Sequence, residues 1–221
     1  MYNKAFALFK KDFSSELRTR YAINSLAMFI IVAISVILFS IGNEPINQNL
    51  TGGLFWVVIF FTAMSGLARA FVSEEERGTT TTLQLIASPS TVFSGKLLFN
   101  IILVFCMNAV IAILYSAFFE EFVIQNYPLF FLTFVIGNIG LAVASTIIAA
   151  IIAKAGAKGT LYPVLSFPIL LPLILTCVQL TLFSFDGTSF EEAKFEIAII
   201  VGYDVIMLTA SYMLFDFIWK D

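Results

Sequence analysis

The stretch "FVSEEERGTTTTLQLIASPS" (residues 71–90) interrupts a chain that is otherwise mostly apolar. Three glutamates, one arginine and four threonines stand here between two long hydrophobic runs. Such a segment cannot lie in hydrocarbon, because charged side chains and unpaired backbone groups are costly there. The stretch therefore predicts a polar insert that joins two membrane-spanning helices.

The composition indicates a membrane protein rather than a soluble domain. Hydrophobic residues make up 60% of the 221 residues and charged residues only 12%, whereas soluble domains carry about 25% charge. A helix needs about 20 residues to cross the hydrocarbon core. We therefore expect an all-α polytopic membrane protein, with residues 1–221 as one transmembrane domain. The predicted spans are residues 22–42, 53–71, 97–119, 128–152, 160–182 and 196–218.

The distribution of lysine and arginine predicts the orientation of these spans. Basic residues are enriched in the loops that face the cytoplasm. If the N-terminus is cytoplasmic, 11 of the 12 basic residues lie in cytoplasmic segments, and Lys194 is the exception. We therefore expect both termini and the polar insert to face the cytoplasm.

Residues 1–21 predict an amphipathic helix that lies in the inner membrane interface. Basic residues stand mostly off one apolar stripe, which is the pattern of an interfacial helix. Two interpretations remain open: a simple surface anchor, or an elbow helix that also touches a cytoplasmic partner. The stripe consists of Tyr2, Phe6, Phe9, Phe13, Leu17 and Tyr21.

The insert itself has the signals of a short helix. Gly78 can end the helix that arrives from the second span, and Pro89 suits the first turn of the third. Residues 79–87 between them allow two helical turns, with Leu83, Ile86 and Ala87 on one side. The insert is then either an ordinary charged hairpin or a surface helix on which a partner docks.

The run "EEERGTTTTLQLIASPSTVFSGK" (74–96), followed by Asn100, resembles the loop signature of ABC-2-type permeases. In that superfamily an acidic-arginine-glycine-threonine stretch leads to leucines, a proline and a Gly-Lys pair. Thr80 and Thr81 depart from it, since they stand where a Leu-Glu pair is expected. Two further blocks resemble the CcmB family of haem-exporter permeases: "FSIGNEPINQNLTGGLFWVVIFFTAMSGLARAF" (39–71) and "KAGAKGTLYPVLSFPILLPLILTCVQLT" (154–181).

The resemblance implies an ABC-2 (type V exporter)-like permease that a separate CcmA-like ATPase drives. Residues 72–95 would form the coupling loop and helix that rests on this ATPase. Further implied partners are a CcmC-like haem-handling membrane protein, a small CcmD-like subunit and a CcmE-like haem chaperone, in a bacterial inner membrane. The implied ATPase-coupling residues are Glu74, Glu75, Glu76, Arg77, Gly78, Thr79, Leu83, Leu85, Pro89, Gly95 and Lys96.

The sequence favours a transport subunit over an enzyme. The segment "SPSTVFSGKL" (88–97) lacks the leading glycine of a phosphate-binding loop, and Leu97 follows its lysine. The chain has no histidine, the commonest axial ligand of haem iron, so we expect no directly bound cofactor. The resemblance implies that the partner ATPase binds ATP and that haem is a possible cargo of the complex. We expect no nucleic-acid partner.

Three functions remain open at this stage. The leading one couples ATP hydrolysis to c-type cytochrome assembly, either by exporting haem or by releasing a haem–chaperone complex. The alternatives are an ABC-2 permease for another lipid or drug-like substrate, and an ATPase-independent membrane scaffold.

Several residues inside the predicted spans are candidates for function. Asp204 is an acid well inside the sixth span and either lines a path or packs as a neutral group, with Asn108, Asn138 or Gln179 as candidate partners. The fifth span is either a rigid kinked helix or a flexible element. The remaining candidates are Asn100 and the prolines of the fifth span, Pro163, Pro168 and Pro172.

Overall fold

The computed structural model describes residues 2–42, 46–67, 71, 74, 78–154 and 162–220. Over these ranges the chain forms helices and no strand. The helices are α1 (Tyr2–Thr19), α2 (Tyr21–Ile41), α3 (Gln48–Leu67), α4 (Thr80–Ile86), α5 (Pro89–Phe118), α6 (Tyr127–Lys154), α7 (Tyr162–Phe185) and α8 (Lys194–Lys220).

Six of these helices (α2, α3, α5, α6, α7 and α8) are long and apolar enough to cross a membrane. The prediction of an all-α protein with six membrane helices is therefore confirmed. Helix α5 begins at Pro89 rather than at residue 97. Its first two turns are too polar to be recognised by hydropathy, but proline at the first helical position favours a start there.

Helix α6 forms the centre of the bundle and packs against α3, α5, α7 and α8. It is apolar all round, as expected for a helix that other helices surround. Small residues let the neighbouring helices come close: Gly137 lies against Trp56 of α3 and Cys177 of α7. By contrast, α2 and α8 expose many large apolar side chains, which suits helices that face lipid.

Contacts between the ends of the helices fix which elements share one end of the bundle. Lys4 of α1 lies 3.5 Å from the carbonyl oxygen of Ile86 in α4. Gln84 of α4 donates a hydrogen bond of 2.8 Å to the carbonyl oxygen of Trp219 near the end of α8. We refer to this side as the α4 end, and to the side with residues 119–126 and 186–193 as the far end.

The loops at the far end are held together by hydrogen bonds. The backbone N–H groups of Gln125 and Asn126 both donate to the carbonyl oxygen of Ser184, at 3.0 and 2.9 Å. The Asn126 side chain also donates to the carbonyl oxygen of Thr188 at 2.7 Å. The α5–α6 loop is thereby tied to the α7–α8 loop.

Candidate functional site

The α4 end contains a short helix outside the six spans. Gly78 has a φ of 64° and so makes the left-handed turn before this helix. The backbone N–H of Thr79 donates to the carbonyl oxygen of Glu74 at 3.0 Å, and α4 follows directly. It stops at Ala87, whose backbone is extended, and Pro89 opens α5. The prediction of a short helix between the second and third spans therefore describes this segment well.

Helix α4 is fixed on one side and exposed on the other. Leu83 is buried, and Gln84 is bonded to the end of α8. Leu85 is 84% exposed and Ile86 is 62% exposed. Leu83 and Ile86 are three residues apart in this helix but differ in exposure, because packing covers Leu83 and leaves Ile86 open. Two large apolar side chains of α4 therefore remain uncovered.

Glu74 is the centre of a buried ion cluster just before α4. Its Oε1 lies 2.7 Å from Nζ of Lys11 in α1 and 2.9 Å from Nζ of Lys96 in α5. Its Oε2 accepts a hydrogen bond of 2.5 Å from the hydroxyl of Thr79. Burial would raise the pKa of Glu74, but the charge of Lys96 and the hydrogen bonds from Lys11, Thr79 and Lys96 lower it from the usual 4.5 to about 2. Glu74 is therefore ionised near neutral pH.

Lys96 connects three parts of the chain. Besides Glu74, its Nζ lies 3.0 Å from Oδ2 of Asp12 in α1 as an ion pair. The same ammonium group stands 5.9 Å from the ring centroid of Phe71, which adds a cation–π contact. The lysine is almost fully buried, so these partners replace the water that its charge would otherwise need.

The neighbouring glycine explains how α1 reaches this cluster. A Cβ on Gly95 would lie 2.8 Å from the Cβ of Leu8 and 2.9 Å from the carbonyl oxygen of Ala5. Any larger residue would push α1 away from α5. Gly95 and Lys96 thus act together. Gly95 allows α1 and α5 to touch, and Lys96 pairs with Asp12 of α1, which this contact brings near.

A cavity of about 240 Å³ lies behind α4, between this helix and the ends of α6 and α8. Its walls combine polar and aromatic groups, namely Glu74, Thr81, Gln84, Lys154 and Trp219. The side chain of Gln84 in α4 bridges this space with its hydrogen bond to the carbonyl oxygen of Trp219 in α8. Thr80, Thr81 and Gln84 of α4 face this cavity, whereas Leu83 packs into the core.

The predicted coupling residues therefore divide into several groups. Glu74, Thr79 and Lys96 come together in the ion cluster, whereas Gly95 packs under α1. Leu85 faces outward. Glu75, Glu76 and Arg77 lie outside the described residues.

Several residues of this site were not predicted from the sequence. Lys11 and Asp12 belong to α1, and Gln84 and Trp219 join α4 to α8. Lys11 and Asp12 look like ordinary charges on an amphipathic helix. Nothing in a single sequence indicates that they meet residues 74 and 96.

The candidates inside the spans form helix-to-helix contacts. The Asn100 side chain donates a hydrogen bond of 2.7 Å to the hydroxyl of Thr146, which joins α5 to α6. The Asn108 amide donates to the Asn138 side chain across the same pair of helices. Asn108 and Asn138 are therefore paired with each other. The sequence had suggested either of them as a partner of Asp204.

Asp204 has a different environment. Its Oδ1 is buried against Gly140 and has no hydrogen-bond partner among the described residues. Pro168 and Pro172 lie inside α7, and Pro163 lies in its first turn. Tyr203 donates to the carbonyl oxygen of Ile169 at 3.0 Å, so α8 satisfies one carbonyl of this proline-containing helix.

These features define an all-helical multi-pass membrane protein with an anchored helix outside its spans at one end. Residues 3–215 match the family model described as CcmB protein. Because the match covers nearly the whole chain, the protein belongs to the CcmB family. A comparison with curated proteins gave no match. Family membership makes the chain a membrane component of a haem-exporter ABC transporter of cytochrome c biogenesis.

Proposed function

We propose that the chain is the permease subunit on which a separate CcmA-like ATPase acts, and that α4 is the coupling helix. The observation that supports this most is the exposure of Leu85 and Ile86 on a helix that Leu83 and Gln84 hold in place. Exposed apolar side chains on a fixed helix outside the bilayer suit docking into the groove of a partner protein.

The charges support an orientation with the α4 end in the cytoplasm, where ATP is available. Lys4, Lys10, Lys11 and Lys154 lie at this end, on α1 and at the end of α6. The far end carries acidic residues instead, and basic residues prefer the cytoplasmic side of a bacterial inner membrane. The acidic residues of the far end are Glu120, Glu121, Asp186, Glu191 and Glu192.

The proposed work of the complex is haem export, or release of a haem–chaperone complex, during c-type cytochrome assembly. The permease supplies the helices that move and the ATPase supplies the energy, in an ABC-2 (type V exporter)-like arrangement with α1 as the elbow helix. The chain has no histidine to ligate haem iron. A CcmC-like protein would therefore hold the haem, with CcmD-like and CcmE-like partners completing the assembly.

Recovery of the ATPase with tagged permease tests the docking surface. We expect Leu85→Asp to abolish this recovery, because a carboxylate would be desolvated in the groove. Phe190→Asp is the matched control, since Phe190 is also an exposed apolar residue outside the spans but lies at the far end. Leu83 is unsuitable for this test because it is buried. Its replacement would disturb folding, and a loss of ATPase recovery could then not be assigned to docking. Full recovery with Leu85→Asp would reject the assignment of α4.

Staining for covalent haem tests the substrate. A strain that lacks this permease should contain no c-type cytochrome with covalent haem, and the wild-type gene should restore it. Normal c-type cytochromes in the deletion strain would favour a permease for another lipid or drug-like substrate. Purification without any ATPase would favour the scaffold function instead.

A further inference from the structure

We infer that Lys96 is a positioning residue that joins α1, the segment around Glu74 and α5 into one body, so that a push on α4 reaches the membrane helices. This inference rests on the proposed function, since it requires a partner that acts on α4. It assigns to Lys96 an internal role and not a contact with the ATPase.

The first support is the burial of the charges. Lys96 is 3% exposed and Glu74 is 4% exposed, so neither is available to a docking partner. A buried ion pair adds little net stability over apolar residues, but the loss of one member leaves an uncompensated charge and is strongly unfavourable. Such a cluster fixes the relative positions of α1, Glu74 and α5 more than it stabilises the fold. A connection that passes on movement needs this property.

The second support is that α1 contacts the α4 segment on both sides. Lys11 of α1 meets Glu74 before α4 begins. Asp12 of α1 meets Lys96 in α5, after α4 has ended. Lys4 of α1 reaches the carbonyl oxygen of Ile86, where α4 ends. A movement of α4 relative to α1 would have to break both connections, so the two helices are expected to move together.

The third support is the close contact at Gly95, which is independent of charge. The backbones of α1 and α5 approach until a Cβ at residue 95 would touch Ala5 and Leu8. Because packed surfaces shift between discrete arrangements and do not deform continuously, α1 cannot slide freely over this position. Packing and ion pairing thus fix the same helix crossing.

Helix α5 provides the route into the membrane. It continues without interruption from Pro89 to Phe118, a length of about 45 Å. Beyond Lys96 it is bonded to the central helix α6 through Asn100–Thr146 and Asn108–Asn138. Displacement of the α4 segment would therefore be passed through Lys96 to α5 and on to α6.

The test compares ATPase recovery with haem delivery in cells in which this chain is the only permease. Lys96→Met removes the charge and keeps the length of the side chain, and Lys96→Arg keeps the charge. Both leave the exposed face of α4 unchanged. For Lys96→Met we expect normal recovery of the ATPase but about a tenfold loss of covalent haem in c-type cytochromes, with most of it restored by Lys96→Arg.

Two outcomes with Lys96→Met would overturn the inference. One is full haem delivery by a protein that accumulates normally. The other is loss of ATPase recovery in parallel with haem delivery, which would indicate a role in folding or docking.

If Lys96→Met fails to accumulate, Asp12→Asn decides the question. It removes only the pairing from α1 to Lys96 and leaves Glu74 in place. Reduced haem delivery with normal ATPase recovery is the expected result, and full delivery contradicts the inference. ATPase recovery that survives Leu85→Asp would instead refute the proposed docking surface, so the two failures are distinguishable.

Discussion

The carboxyl group of Asp204 on α8 occupies the space that a side chain at position 140 of α6 would need. Gly140 is therefore part of the reason that an acid can stand inside the bundle. Leu173 of α7 closes the same spot at 3.0 Å from where a Cβ would lie. Three helices meet here, and the absence of a side chain at residue 140 is what permits it.

Replacement of Gly140 by alanine should destabilise the bundle. The added methyl group would collide with Asp204 and with Leu173, and overpacking of this kind costs about 1–3 kcal/mol. Thermal unfolding in detergent, followed by tryptophan fluorescence, should show a lower midpoint for Gly140→Ala.

Gly202→Ala on α8 is the matched control for Gly140. A Cβ at residue 202 would meet no heavy atom within 4 Å among the described residues. We expect Gly202→Ala to raise the free energy of unfolding by at most about 1 kcal/mol, because alanine has a higher helix propensity than glycine. An equal loss of stability in both variants would mean that Gly140 does not mark a close contact.

Replacement of Gly95 by alanine should loosen α1 from α5. Its methyl group would meet the Ala5 carbonyl oxygen, which is backbone and cannot rotate away. Lys10, Lys11 and Arg18 of α1 should then be cleaved faster by trypsin, since a detached helix opens more often. Mass spectrometry of the N-terminal fragments measures the cleavage rates.

Gly53→Ala serves as the control for proteolysis, because a Cβ at residue 53 would meet no described heavy atom within 4 Å. It should leave the trypsin cleavage of α1 at the wild-type rate. Unchanged cleavage in Gly95→Ala would show that α1 tolerates the larger residue and would remove the packing support for a fixed helix crossing.

The spans could be predicted from the sequence because hydropathy is a local property. Each long apolar run becomes one helix, and the insert at residues 71–90 contains α4 between Gly78 and Pro89. The amphipathic pattern of residues 1–21 likewise predicts α1. Signals of this kind depend on neighbours within a few residues.

The ion cluster could not be predicted, because it depends on how distant segments cross. Asp12, Glu74 and Lys96 lie far apart in the chain and meet only because Gly95 lets α1 rest on α5. The resemblance to ABC-2-type permeases drew attention to Glu74 and Lys96 but implied contact with an ATPase. Their burial, which only the fold shows, is the basis of the internal role that we infer for Lys96.

The pairing of Asn108 with Asn138 should be visible in a double-mutant cycle. Each single change to leucine leaves one buried amide without its partner, whereas the double change removes both amides. We expect a coupling free energy of about 0.6 kcal/mol, the average that double-mutant cycles give for hydrogen bonds between membrane helices. Unfolding in mixed micelles measures it, and additive single effects would contradict the pairing.

Stability should depend on the ionisation of Glu74 in strongly acidic solution. Its pKa is lowered from 4.5 to about 2 in the folded protein, so folding favours the ionised form. The stabilisation is fully present above pH 4.5 and is lost as the pH falls towards about 2. It is on the order of 3 kcal/mol at neutral pH, and Glu74→Gln lacks it.

The difference in unfolding midpoint between the wild type and Glu74→Gln should therefore shrink as the pH is lowered through this window. Glu74→Gln removes the carboxylate charge and keeps Lys11, Lys96 and Asp12 in place, so the comparison tests the charge at residue 74. Glu191→Gln at the exposed far end is the control for loss of a surface carboxylate, and its unfolding midpoint should stay close to that of the wild type. If the difference in unfolding midpoint between the wild type and Glu74→Gln is the same from neutral to acidic pH, the ion pairs of Glu74 with Lys11 and Lys96 do not stabilise its ionised form.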